Sequence, residues 1–209
     1  MSALTYEARL NQDRRWAMEE GSMHFDKQSS VHRTMRSIAR RLDELQIPYA
    51  LVGGMALFQH GFRRFTEDVD LLVTADGLKL LHEKLEGLGY LPPFQGSKNL
   101  RDTETGVKIE FLVTGGYPGD GLPKPVMFPD PEGVSEILDG VRCLTRAKLV
   151  ELKLASGTAA WRQKDLGDVQ EMIRIFDLPL EFRDELHPWV RDSYERLWQG
   201  VRSAPPEEN

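Results

Sequence analysis

Leu51-Val-Gly-Gly-Met-Ala-Leu57, followed shortly by Arg64-Phe-Thr-Glu-Asp-Val-Asp-Leu-Leu-Val73, sets two adjacent glycines after a short apolar run and two carboxylates at the front of a second run. Side chains two apart on a strand point to one face. Asp68 and Asp70 therefore converge, while Val69, Leu71 and Val73 enter the core. Two carboxylates aimed together repel each other unless something positive stands between them. A divalent ion answers that need, and a hard, oxygen-seeking ion such as Mg²⁺ or Mn²⁺ suits carboxylates best.

A third acidic residue extends the pattern. In Val107-Lys-Ile-Glu-Phe-Leu112, the residues Val107, Ile109 and Phe111 alternate with Lys108, Glu110 and Leu112, as in a strand with one face in the core. If the two strands pair, Asp68, Asp70 and Glu110 line one metal-binding edge, with Lys108 on the same face. Each feature also has a plainer reading. Gly-Gly is commonly just a turn, Asp68 can be a cap, Asp70 a solvated edge residue, and Glu110 with Lys108 a surface pair of little worth. Those readings must all hold at once, whereas one active site accounts for the whole set.

The order Gly53-Gly54, then Arg64-x-Thr66-x-Asp68-x-Asp70, then Lys108-Ile-Glu110 resembles the DNA polymerase β-like nucleotidyltransferase superfamily. More narrowly, it is similar to the small bacterial members of toxin–antitoxin and abortive-infection systems. The resemblance covers about residues 32–175. It implies transfer of a nucleoside monophosphate from ATP or another nucleoside triphosphate to a hydroxyl acceptor on a protein, an RNA or a small molecule, with release of pyrophosphate. Such chemistry needs charge neutralisation and in-line positioning more than covalent help. By the same resemblance Asp68 and Asp70 hold metal ions, and Glu110 serves as ligand or base. Gly53 and Gly54 would open a helix toward the triphosphate. Arg64, Thr66 and Lys108 would assist nucleotide binding. Many relatives carry serine as the second residue of the turn, so Gly54 removes one hydroxyl. Further along, Arg162-Gln-Lys-Asp-Leu-Gly-Asp168 is similar to a charged segment of these enzymes, in which Lys153, Lys164 and Asp165 would face or brace the nucleotide cleft. The alternative is a protein of this fold that acts as a binding or regulatory partner in a toxin–antitoxin pair. A metal-dependent phosphodiesterase or nuclease is a third reading, because paired carboxylates serve that chemistry too.

Composition bounds these readings. At 209 residues the chain can bury one sizeable core, or a catalytic domain with a helical appendage. A formal net charge of -6 argues against extended DNA binding, which usually shows as basic excess. Cys143 is the only cysteine, so an internal disulfide and a cysteine zinc cluster are both excluded. The five histidines have no metal-ligand spacing, and Walker-type phosphate loops and nucleophile elbows are absent. Apolar stretches fall far short of a membrane span, and a cytoplasmic location is expected.

Outward from the two motifs, residues 1–30 are polar and weakly periodic, and are expected as an arm or a loose helix. Val31, Met35, Ile38, Leu42 and Leu45 recur at helical spacing up to Pro48. A strand from Tyr49 to Val52, a short helix from Met55 to about His60, and the strand Val69 to Val73 follow. Next come a helix with Leu78, Leu81, Leu85 and Leu88 as its buried stripe, and a hairpin from Leu100 to Leu112. This order predicts an α+β catalytic domain over residues 31–144, a small mixed sheet with helices on one face. Residues 114–131 are crowded with glycine and proline and read as a lid or as a surface connection. Asp139-Gly140 turns a second hairpin. A helical region over 145–202 and a disordered tail over 203–209 complete the expected organisation.

Overall fold

The computed structural model describes residues 5–203, so most of the expected tail lies outside the described residues. The described residues form two compact units, 5–114 with 130–144 and 115–129 with 145–203. The first holds a seven-stranded mixed sheet and the helices around it; the architecture is α+β.

The sheet of the first unit is built on β1 (Tyr49–Val52) and β2 (Asp68–Val73), which pair antiparallel. β2 runs parallel to β5 (Lys108–Val113), whose other edge carries β4 (Leu100–Asp102) and the two-residue β3 (Tyr90–Leu91). On the far side β1 runs parallel to β7 (Val141–Leu144), which pairs with β6 (Ser135–Leu138). The β6–β7 turn is the expected tight one: Asp139 and Gly140 both have positive φ. Val69, Leu71, Ile109 and Phe111 are fully buried, and their even-numbered neighbours Asp68, Asp70, Lys108 and Glu110 are only half-buried. Alternation in sequence has become alternation of faces.

Three helices pack on this sheet: the seven-residue α4 (Gly53–Gln59) and two longer ones. In α3 (Ser30–Glu44) the Ser29 hydroxyl caps the N-terminus by accepting from the His32 amide, and Val31, Met35, Ile38 and Leu42 are buried. Each such side chain contributes roughly 1.5–3 kcal/mol. The helix α5 (Ala75–Leu85) buries Leu81 and Leu85, but Leu88 does not continue its stripe and is 65% exposed. Gly87 and Gly89, at φ +81° and +97°, turn the chain so that Tyr90 goes inside instead.

Residues 5–29, expected as a polar arm, are ordered helices of the first unit. α1 (Tyr6–Gln12) and α2 (Arg14–Phe25) share Asp13, whose side chain caps α2. The buried Glu20 carboxylate accepts hydrogen bonds from the Tyr6 hydroxyl, the Ser30 amide and the Ser30 hydroxyl, tying three helices together. Arg101 donates to Glu7, and the Tyr6 amide donates to the Gly106 carbonyl. These polar residues look solvated in sequence because their partners are distant in it.

The second unit contains α6 (Arg146–Ser156), capped by Thr145, together with α7 (Gln163–Ile175) and α8 (Pro188–Ser203). Its segment 115–129 is held rather than loose. Gly115 and Phe128 are joined through backbone hydrogen bonds, and the Lys124 ammonium donates to the Pro118 carbonyl and the Asp120 carboxylate, each at 2.6 Å. Gly119 lies so close to α6 that a Cβ there would stand 2.6 Å from the Ser156 carbonyl oxygen. Among the described residues no helix is long and apolar enough to cross a membrane.

Candidate active site

The register of β2 and β5 brings the predicted carboxylates together. Asp68 lies opposite Lys108, and Asp70 opposite Glu110, in neighbouring parallel strands. Adjacent strands are about 4.8 Å apart and residues two apart about 6.6 Å, so these four side chains mark the corners of a small rectangle on one face. Three corners are acidic and one is basic. The Lys108 ammonium donates to Glu110 Oε1 along its own strand. The Thr66 hydroxyl donates to Asp68 Oδ1 at 2.9 Å.

The glycine turn explains how Asp70 fits. Gly53 has φ +62°, and a Cβ on it would stand 1.9 Å from Asp70 Oδ2, so the carboxylate rests directly on the bare backbone. Gly53 and Gly54 begin the short helix α4 (Gly53–Gln59), slightly earlier than expected. A Cβ on Gly54 would meet the Thr66 hydroxyl at 2.7 Å. The lack of a side chain at position 54 thus leaves the room that the Thr66 side chain occupies. The two motifs are sterically coupled in a way their spacing in the chain conceals.

Arg64 is half-buried, and its carbonyl accepts from His24 Nε2 at 3.0 Å. Since that bond requires a proton on Nε2, neutral His24 must accept from the Ser29 hydroxyl through Nδ1, and Ser29 in turn accepts from His32 Nδ1. Burial holds both imidazoles below the usual histidine range, His32 at about 3 with the neighbouring His24 reinforcing the effect. Sequence reading gave these histidines no role; their relation becomes visible only when α2, α3 and the loop before β2 are together. His60 is satisfied by a backbone carbonyl, that of Leu144 at 2.8 Å.

Lys153, Lys164 and Asp165 lie in the second unit. Lys153 is buried and donates to Asp165 Oδ1 at 3.1 Å and Asp168 Oδ2 at 2.6 Å, while Ser156 and Arg162 donate to Asp165 Oδ2. Burial pushes the Asp165 carboxyl up, but the Lys153 charge and the Ser156 hydrogen bond outweigh it and hold the group below the usual carboxylate range. Lys164 is exposed. Asp168, not singled out in the sequence, is the second anchor of Lys153; its i, i+3 spacing from Asp165 on α7 was the available signal.

The first-unit carboxylates provide oxygen donors only, as a hard divalent ion prefers. Among the described residues, however, no group of three or more His, Cys, Asp and Glu side chains closes into a metal cage. Asp68 and Asp70 supply two carboxylates to this face, and Glu110 is in contact with Lys108.

No protein-family model matches the chain, and no curated protein matches it in sequence. In structure the chain is similar to JHP933 from Helicobacter pylori, at 14% identity and a TM-score of 0.47, over 82% of this chain and 89% of that one. It is similar to an antigenic nucleotidyltransferase-like protein from Paracoccidioides brasiliensis at 19% identity and a TM-score of 0.45, covering 81% and 91% of the two chains. For the antibiotic-resistance factor ANT(2'')-Ia the identity is 16% and the TM-score 0.41, over 78% and 85%.

Proposed function

We propose that the protein is a metal-dependent nucleotidyltransferase that moves a nucleoside monophosphate from a nucleoside triphosphate to a hydroxyl acceptor and releases pyrophosphate. The observation that carries this reading is the register of Asp68 and Asp70 against Lys108 and Glu110, on one half-buried face beside the Gly53-Gly54 turn. Two acids on one face of a core strand give a cation two carboxylates to hold, which supports a functional role for them.

In this reading Asp68 and Asp70 hold Mg²⁺ or Mn²⁺, which supplies charge neutralisation at the transferring phosphoryl group. Thr66 orients Asp68 through its hydrogen bond and keeps the carboxylate aimed across the rectangle. Gly53, lacking a Cβ, allows Asp70 to sit against the backbone. Glu110, once released by Lys108, is the group within reach to take the proton of the attacking hydroxyl. Arg64 and Lys108 are the cations available to the triphosphate.

The test is incubation with α-labelled nucleoside triphosphates, Mn²⁺ or Mg²⁺, and protein, RNA or small hydroxylated acceptors. Label should appear on an acceptor with stoichiometric pyrophosphate. Asp70→Asn should lower the rate by a factor of about 10³ while its unfolding midpoint stays near that of the wild type, because an amide keeps the shape and loses the charge. A folded Asp70→Asn protein with full activity would sink the proposal.

A further inference from the structure

Between α4 and β2 the chain runs through residues 61–67, which carry Arg64 and Thr66 and lead directly into Asp68. We propose that His24 is a positioning residue for this segment: its Nε2 hydrogen bond to the Arg64 carbonyl ends a one-way hydrogen-bond chain that starts at His32 and passes through Ser29. The proposal rests on the nucleotidyltransferase reading for what the segment serves, and specifies which buried groups hold it.

The direction of the chain follows from counting protons. A carbonyl only accepts, so His24 Nε2 carries its hydrogen toward Arg64, at 3.0 Å. A neutral imidazole has one N–H, which leaves His24 Nδ1 as an acceptor, 3.3 Å from the Ser29 hydroxyl. Ser29 has a single hydrogen to give. At its other ring contact, 3.0 Å away, His32 Nδ1 is therefore the donor. The second lone pair of Ser29 takes the His32 amide at the N-terminus of α3, so every hydrogen-bonding position of this hydroxyl is committed. The bare nitrogen of His32 is then Nε2. That atom is buried and has no hydrogen-bond partner among the described residues. An N–H there, in the other tautomer or in a protonated ring, would be a buried donor without an acceptor, which is costly.

The surroundings keep both rings neutral. His24 and His32 are wholly buried with ring centroids 4.7 Å apart, and the Phe58 ring of α4 lies 5.0 Å from each. Phe65, the residue after Arg64, stands 5.0 Å from His24. The charged neighbours are Glu20 on α2, which favours a charged His24, and Arg36 and Lys27, which with His24 oppose a charged His32. Burial outweighs Glu20 and holds His24 below the usual histidine range. Protonation of His24 would set a second donor against Ser29, and Ser29 would lose the acceptor for its own hydrogen. Two residues after Arg64, the Thr66 hydroxyl donates to Asp68, so a hold on the Arg64 main chain is a hold on the approach to Asp68.

Long-range proton–nitrogen NMR spectra of the ¹⁵N-labelled full-length protein report the tautomers directly, with His24→Gln and His32→Phe assigning the two rings. At about pH 6, where an ordinary histidine is mostly protonated, His24 should be neutral with its hydrogen on Nε2 and His32 neutral with its hydrogen on Nδ1. Trypsin reports the hold on the segment through cleavage after Arg63 and Arg64. His24→Phe keeps a ring and loses the donor, and should be cut there at least about tenfold faster than the wild type. His24→Gln, whose amide N–H can stand in for that of Nε2, should be cut at close to the wild-type rate. The same tautomer in both rings, a charged ring at that pH, His24→Phe cut at the wild-type rate, or His24→Gln cut as fast as His24→Phe overturns the proposal. Thermal unfolding of each variant separates loosening of the segment from global unfolding; should His24→Phe fail to fold, the wild-type tautomers and the His24→Gln rate decide. Neither measurement uses a nucleotide, so absent label transfer would sink the transferase reading and leave both results standing.

Discussion

Lys153 and Lys108 each reach for carboxylates, and the surroundings give the two clusters different characters. Around Lys153 two acids, a serine hydroxyl and Arg162 close a buried set with an interlocking set of hydrogen bonds. Around Lys108 three acids stand on one half-buried face and the ammonium engages only one of them. Balanced charge in a dry setting makes a brace. Three acids around one lysine on a half-buried face make a more open set, the one that the proposed function assigns to a cation.

The sharpest way to break that comparison is to remove each lysine. Lys153→Met removes the cation that Asp165 and Asp168 share in a buried setting, and should cost about 3–5 kcal/mol. Denaturant unfolding measures it, and a loss below about 1 kcal/mol would make the brace as dispensable as an ordinary surface pair. The glycine turn allows a gentler test on the other side. Gly54→Ser puts a Cβ against the Thr66 side chain and should destabilise by about 1–3 kcal/mol through overpacking. Adding Thr66→Ala should recover most of that loss, because one side chain then fills the space of the other; a double variant no better than Gly54→Ser would show that the two positions are not coupled.

Acid sharpens the contrast further and has the smallest expected effect. Asp165 has a folded value below its ordinary 3.8, so the unfolded chain binds its proton first as pH falls. The stability Asp165 contributes is present above about pH 4 and is lost as pH drops through the folded value. Trp161, Trp189 and Trp198 all lie in the second unit and can report its unfolding. Asp165→Asn should flatten the dependence below pH 4; an unchanged slope would assign it to other acids.

The elements that were legible in the sequence are those with strong local period. The α3 stripe, the β2 alternation and the two hairpins could be read because each signal is local in the chain. Placing Asp68, Asp70 and Glu110 on neighbouring strands needed one assumption, that β2 and β5 pair, and the register shows that pairing. What escaped was long-range and polar. Glu7 with Arg101, Glu20 with Tyr6 and Ser30, and His24 with the Arg64 carbonyl join residues whose individual appearance is that of a solvated surface. Leu88 failed for the opposite reason, since an apolar residue at helical spacing lost its place to two glycines and a tyrosine. The coupling of Gly54 to Thr66 is a matter of volume, which no residue pattern encodes.

The pairing of β1 with β7 has a consequence for how the protein comes to be folded. Leu51 meets Cys143 only after the intervening chain has supplied the five strands β2 to β6 and the whole of the segment 115–129. During synthesis one edge of β1, made of Tyr49, Ala50, Leu51 and Val52, emerges long before its partner exists. Parallel pairing across such a separation in sequence is slow, because the loop must close before any contact rewards it. Until then the nascent chain carries an open apolar strand edge, the kind of surface that chaperones shield and that neighbouring chains can capture.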